Sequence, residues 1–271
     1  MSIVRRKPRN SSLRYQSFLS SEDVTKKNPE RSLTMPLKRS GGRNAYGRIT
    51  VRHRGGGAAK KYRIVDLARK ERGITGTVIA IEYDPNRNVR IALISYVNGA
   101  KGYILLPKDL TVGSSVIADE LTDAKVGNCM PLENIPVGFV VHGVGIRPEI
   151  AGTFARSAGT AVEIVGKNED RVILRMPSGE MRMVHKRCWA SIGVLGNEEY
   201  KNISWGKAGR TRHKGFRPSV RGMAMNPVDH PAGGGEGRSK SGEHPRSPWG
   251  WGCKGTRTRR RKSSDIIKRR K

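Results

Sequence analysis

Residues 74–83 read I-T-G-T-V-I-A-I-E-Y and run directly into D-P-N at 84–86. Valine, isoleucine and threonine are stiff at χ1 and suit an extended backbone, and D-P-N is turn chemistry. The pattern continues outward. Residues 89–97, V-R-I-A-L-I-S-Y-V, meet Asn98-Gly99, a hairpin dipeptide, and residues 103–106, Y-I-L-L, follow. Their alternation is imperfect, as in the coiled strands of a small barrel.

A second set begins near Val126. It comprises V-G-F-V-V-H-G-V (137–144), T-A-V-E-I-V (160–165), R-V-I-L-R-M (171–176), M-R-M-V-H (181–185) and C-W-A-S-I-G-V (188–194). The turn-rich stretches G-K-N-E-D and P-S-G-E separate three of them. Each set spans about 65 residues, enough for five or six short strands. The expected fold is mostly β, with two small barrels over residues 61–125 and 126–200. A single large sandwich is the alternative.

The charge lies outside these sets. The 271-residue chain carries 53 Lys and Arg against 23 Asp and Glu, a net +30. Residues 61–200 are nearly balanced at +2, whereas residues 1–60 carry +12 and residues 201–271 carry +16. Two basic arms therefore flank an ordinary globular composition. Such self-repulsion calls for a polyanionic partner. The C-terminal arm has 12 glycines in 71 residues and almost no aliphatic runs. It cannot offset about 1–2 kcal/mol of backbone entropy per residue by burial, so it is expected to be ordered by its partner. Trp205, Phe216, Trp249 and Trp251 among the cations suit base stacking, which favours RNA over a solubilising tail.

Other classes find little support. There is no apolar run of about 18 residues to span a membrane. The basic first ten residues lack the apolar core of a secretion signal and show no amphipathic pattern. Cys129, Cys188 and Cys253 are odd in number and far apart, which fits a reducing compartment. His185 and Cys188 make only half a zinc site, so no metal is expected. The phosphate-loop, nucleophile-elbow and zinc-protease patterns are absent.

The candidate sites lie in the arms and loops. In N-P-V-D-H-P-A-G-G-G-E-G-R (226–238), an acid beside His230 suggests a general base. Adjacent side chains of an extended chain diverge, however, and two prolines restrict the backbone. We therefore expect Asp229 in a turn and His230 against RNA or backbone, with His230 the sole catalytic candidate. Gly233, Gly234 and Gly235 permit an anion nest beside Arg238, with a flexible hinge as the alternative. Arg52, His53, Arg54, Gly55, Gly56 and Gly57 form a parallel basic triple-glycine element, and both elements are expected to lie against a nucleic-acid backbone. Arg87 and Arg156 sit in loops from which they reach phosphates or base edges, unless they are solvated surface charges. Residues 259–262 and 268–271 are unspecific polycation runs.

These words, in this order, resemble a known family. They include G-G-R-N (41–44), H-R-G-G-G (53–57), E-Y-D-P-N-R (82–87), Y-I-L-L-P (103–107), N-I-P-V-G (134–138) and A-R-S-A-G-T (155–160). R-P-S-V-R-G (217–222), N-P-V-D-H-P and G-G-G-E-G-R complete the set. From about residue 40 onward the chain resembles the bacterial form of the second large-subunit ribosomal protein, the L-two family.

The resemblance implies an OB-like barrel followed by an SH3-like barrel, with arms threading large-subunit rRNA. It adds Arg217, Arg221, Asn226 and Asp229 to the RNA-binding candidates, beside Trp249 among the stacking aromatics. It also implies small-subunit rRNA at an intersubunit bridge, nearby tRNA, neighbouring ribosomal proteins and no membrane. The expected location is a bacterial-type cytoplasmic ribosome rather than an organellar one. No cofactor is expected beyond Mg²⁺ held through RNA. The family's histidine implicated in peptidyl transfer matches His230. An acyl-transfer role for it is the competing reading, and a free nucleic-acid chaperone is a third. Ala232 and Ala58-Ala59 stand where the family has histidine or His-Lys, and Met223 where a smaller residue is usual. Residues 1–40 match weakly and receive no sites.

Overall fold

The computed structural model describes residues 2–148, 150–235, 244–256, 258 and 263–270. The strands in chain order are β1 (Ile3–Arg5), β2 (Ser17–Leu19), β3 (Thr34–Pro36), β4 (Lys61–Arg63), β5 (Gly76–Glu82), β6 (Ile91–Tyr96), β7 (Lys101–Leu105) and β8 (Ser115–Val116). They continue with β9 (Cys129–Pro131), β10 (Val140–His142), β11 (Val162–Lys167), β12 (Arg171–Arg175), β13 (Met181–His185), β14 (Trp189–Ile192) and β15 (Ile266–Lys268). One short helix, α1, covers Ala208–His213. The fold is mostly β, with OB-like and SH3-like barrels.

The chain forms two compact units. The first contains residues 1–38, 59–208 and 264–271; the second contains 39–58 and 209–263. In the first unit, β7-β6-β5-β8 form one antiparallel sheet and β15-β13-β12-β11-β10-β14-β9 another. The β6–β7 hairpin turns at Asn98-Gly99. There Asn98 Oδ1 accepts from Ala100 N–H at 3.0 Å, and Gly99 has φ 81°.

The uneven alternation of β5 and β6 has two causes. A bulge between Val78 and Ala80 shifts the register and leaves Ile79 exposed. The sheet is also buried on both faces. Val78, Ala92, Ile94 and Ile104 fill one side, while Ala80, Ile91, Leu93 and Tyr103 meet Leu33 and Val65 on the other. In the larger sheet, Val162, Ile164, Val172, Leu174 and Val184 point into a separate core. Each such fully buried aliphatic side chain contributes about 1.5–3 kcal/mol. Ala118, Cys129 and Trp189 join the two barrels, and Gly196 N–H donates to Leu106 O across them at 3.1 Å.

Residues 2–38 are not a separate arm, in contrast to the boundary expected at residue 60. β1 pairs with β2, and β3 pairs with β4. Thr25 N–H donates to Ile81 O at 3.0 Å, and Arg90 bonds Asp23 at 3.0 Å. Glu30 N–H donates to Tyr103 Oη, whose hydroxyl donates to the buried Glu82 carboxylate at 2.7 Å. Burial pushes the Glu82 carboxyl above its usual range. The far end of the C-terminal arm is likewise part of the barrel unit. β15 adds to the edge of β13, and Asp265 pairs with Arg171 at 2.9 Å and with Arg182 at 3.7 Å. These segments lack apolar periodicity because polar contacts with distant residues hold them.

Candidate nucleic-acid interface

The second unit holds 19 Lys and Arg against 3 Asp and Glu, a net +16 over 75 residues. It has no buried aliphatic, Phe, Tyr or Trp side chain among the described residues. Backbone pairing gives it shape instead. His53 O accepts from Arg217 N–H at 3.0 Å, Gly55 N–H donates to Gly215 O at 2.9 Å, and Ala58 N–H donates to His213 O at 2.9 Å. The first basic triple-glycine element is thus laced to residues 213–217. A Cβ on Gly57 would lie 2.9 Å from both Gly215 N and His213 O, and its φ is 90°. Only glycine permits that approach. The close passage expected against nucleic acid is, at Gly57, a passage against the chain's own backbone. A Cβ on Gly55 or Gly56 would meet only the ends of Arg217 and Arg212, 3.8 Å away.

Arginines cover this ladder. Arg54 stacks over Phe216, with its guanidinium carbon 4.3 Å from the ring centroid. Arg212 and Arg39 donate to Phe216 O and Gly57 O at 3.2 and 3.0 Å. Arg52, Arg54, Arg217 and Arg221 are exposed, and none meets a carboxylate within 4 Å among the described residues. A stacked guanidinium keeps its edge N–H groups available for bidentate contact with phosphate. Desolvation, with Arg210 beside it, pushes Lys214 below the usual ammonium range.

The His230 stretch is a compact turn. Asn226 O accepts from Asp229 N–H at 3.0 Å and from His230 N–H at 3.2 Å, and His230 O accepts from Gly233 N–H at 2.8 Å. The imidazole is buried over Gly222, where a Cβ would sit 2.4 Å from its Cε1. Its Nδ1 accepts from Ala232 N–H at 3.0 Å. An amide hydrogen can only be donated, so the ring proton is on Nε2. The backbone, rather than Asp229, sets this tautomer. Ala232 contributes its main chain alone, so the missing family histidine leaves the bond intact. Gly233 and Gly234 press on Asn226 O and Pro227, while Gly235 faces open space at φ 82°. Arg238 and residues 259–262 lie outside the described residues.

Residues 245–253 form a hairpin. Ser247 N–H donates to Trp251 O at 2.7 Å and Cys253 N–H to Pro245 O at 2.7 Å. It presents Trp249 and Trp251 to solvent, 75% and 61% exposed. Tyr46, which sequence reasoning passed over, is 89% exposed. It tips a loop in which Asn44 Oδ1 accepts from both Tyr46 N–H and Arg48 N–H. The signal was present: an aromatic between Arg43 and Arg48 in a glycine-bounded loop.

The barrel candidates behave differently. Arg156 is exposed in its loop. Arg87 is largely withdrawn: it pairs with buried Asp84, bonds Tyr62 Oη at 3.1 Å and stacks on the Tyr62 ring. It is neither a solvated charge nor a free loop arginine, because its carboxylate partner lies three residues upstream. Trp205 meets Tyr200 edge-on at 6.0 Å in the barrel unit, apart from the expected stacking aromatics. Burial pushes the Cys188 thiol up to about 11 and raises Cys129 as well. Neither offers a thiolate at neutral pH.

Two β barrels joined to a cationic, core-less unit with exposed aromatics define a class: proteins that bind an extended polyanion through positioning charges and stacking rings. The family model described as "Ribosomal Proteins L2, RNA binding N-terminal domain" matches residues 30–118, and that described as "Ribosomal Proteins L2, C-terminal domain" matches residues 125–250. The chain belongs to the ribosomal protein L2 family. It is a structural, RNA-binding protein of the large ribosomal subunit.

Proposed function

We propose that the second unit is the principal rRNA clamp and that its contacts divide by chemistry. Arg52, Arg54, Arg217, Arg221 and Arg238 neutralise phosphates. His53, Asn226, Asp229 and His230, with the open faces of Gly55, Gly56 and Gly235, shape the backbone that approaches the strand. Trp249 stacks on an unpaired base. Gly57, Gly233 and Gly234 act indirectly by holding the ladder and turn closed. Arg156 adds a contact from the SH3-like barrel, and Arg87 orders its loop. The observation that carries this reading is the net +16 on a unit with no apolar core among its described residues.

On the same reading the protein supports assembly of the large subunit, contacts small-subunit rRNA at a bridge and lies near tRNA, beside neighbouring ribosomal proteins. Its setting is a bacterial-type cytoplasmic ribosome, and any Mg²⁺ is held through the RNA. His230 has a positioning rather than an acyl-transfer role: its Nδ1 is occupied by a backbone amide and its ring is packed on Gly222.

Salt titration of the full chain on large-subunit rRNA tests the clamp. About 6–10 phosphate contacts predict a loss of roughly 10³–10⁵ in affinity between about 50 and 200 mM salt. A flat response refutes it. In assembled particles, His230→Ala should leave single-turnover peptide transfer within about tenfold. A loss of several orders of magnitude with assembly intact would instead place His230 in the chemistry.

A further inference from the structure

The N-terminal hairpin, which precedes both family-matched segments, carries a cleft outside the clamp. β1 and β2 place Arg5 opposite Ser17, and the intervening loop brings Arg14, Tyr15 and Gln16 to the rim. The cavity measures about 540 Å³, and Asn202 and Ser204, within the second matched segment, also line it. It lies wholly within the barrel unit.

Its walls are tightly built. Ser17 N–H donates to Ser204 O at 3.0 Å, and Ser204 N–H donates to Ser17 Oγ at 2.8 Å. A Cβ on Gly206 would lie 2.8 Å from Gln16 N, so the two chain segments run in backbone contact. The loop is fixed at its base by Asn10, whose Oδ1 accepts from Leu13 N–H and from Ser12 Oγ. Arg14 stacks against Tyr15, its guanidinium carbon 5.4 Å from the ring centroid, and Tyr15 is 64% exposed. Neither Arg5 nor Arg14 has a carboxylate within 4 Å among the described residues.

We propose that this cleft binds one unpaired nucleotide of an RNA strand. The assignment rests on the rRNA-binding reading above. A volume of about 300–1,000 Å³ is that of small-ligand pockets, so one nucleotide fits and a duplex does not. Tyr15 supplies a stacking face, which accepts any base. Arg5 and Arg14 supply two planar donors for the flanking phosphates. The Gln16 and Asn202 carboxamides supply donor and acceptor groups for a base edge. Asn202 Nδ2 donates one of its two hydrogens to Glu199 at 2.6 Å, so its second N–H and its carboxamide oxygen remain for a ligand.

Ultraviolet crosslinking of large subunits reconstituted with the full chain and 4-thiouridine-substituted rRNA tests the assignment. An rRNA adduct within residues 5–16, centred on Tyr15, is the expected result. Its yield should fall at least fivefold in Tyr15→Ala and be retained in Tyr15→Phe, since stacking needs the ring and not the hydroxyl. The exposure of Tyr15 keeps the variant folded. Adducts on the tryptophan hairpin with none in residues 5–16 would overturn the cleft and leave the clamp standing. Adducts in neither place would overturn both. Tyr15-dependent binding of free cytidine monophosphate to the isolated chain, with no adduct in the particle, would overturn the RNA assignment in favour of a free nucleotide.

Discussion

The two compact units solve opposite problems with the same chain. The barrel unit hides apolar surface in five clusters, and all eleven ion pairs found among the described residues lie in it. Among the described residues, the second unit hides no aliphatic, Phe, Tyr or Trp side chain and leaves Arg52, Arg54, Arg217 and Arg221 without carboxylates. Each unit's folding free energy has a different origin. Burial offsets chain entropy in the first. In the second, short backbone ladders fix local shape, and in the proposed clamp the larger favourable term would come from counterion release on RNA.

The contrast is most exposed to core truncation. Leu174 is fully buried in the SH3-like core. Leu174→Ala should destabilise the barrel unit by about 3 kcal/mol, measured by urea denaturation of the free chain. Phe216→Ala, in the second unit, should leave that transition unmoved. A comparable loss there would mean that the second unit has a core of its own.

The next largest effect is acid sensitivity, again confined to the barrels. His142 Nδ1 bonds Gly193 O at 2.8 Å, and desolvation lowers its pKa to about 4 from 6.5. The unfolded chain therefore takes up this proton first as pH falls. Its contribution to stability is complete above about pH 6.5 and is lost as the pH drops toward 4, about 2 kcal/mol by pH 5. Denaturation midpoints measured from pH 7 to 5 should show this slope, and His142→Gln should remove it. A slope that persists unchanged in the variant would assign the protons elsewhere.

The same contrast explains what was legible in the sequence. The central strands could be read because β-branched runs ended in turn chemistry: β13 spans Met181–His185, the run quoted from the sequence, and β12 and β14 lie within theirs. Residues 2–38 and β15 escaped because Thr25, Asp23, Glu30 and Asp265 are ordinary polar residues until their distant partners are known. At the interface, the basic triple-glycine elements stood out, but the role of Gly57 and Gly233 did not. Their constraints are Gly215 and Asn226, and nothing local marks Gly215 as a partner. The Arg87 ion pair was legible locally, because Asp84 lies at i−3 in the same turn.

A smaller effect probes the second unit from inside. Gly222→Ala drives a methyl into the His230 ring and should cost of order 1 kcal/mol locally, as overpacking does where the surroundings can shift. Nitrogen NMR of the imidazole is the sensitive readout. The native ring should carry its proton on Nε2, and the variant should lose that preference as the Ala232 bond loosens. Persistence of the native pattern would show that the turn, rather than the ring packing, sets the tautomer.

The smallest effect separates the two jobs of Arg54. Its guanidinium stacks on Phe216, worth about 0.5–1 kcal/mol at an exposed site, and its charge faces RNA in the proposed clamp. Arg54→Lys keeps the charge but loses the planar stack. It should weaken rRNA binding by less than about 1 kcal/mol with the salt slope unchanged. Arg54→Ala should also lower that slope by about 1, because one phosphate contact disappears. Equal slopes in both variants would confine Arg54 to shaping the ladder, and the phosphate contact would pass to a neighbour such as Arg217. The pair thus distinguishes, at one residue, shape made by the protein from binding energy drawn from the RNA.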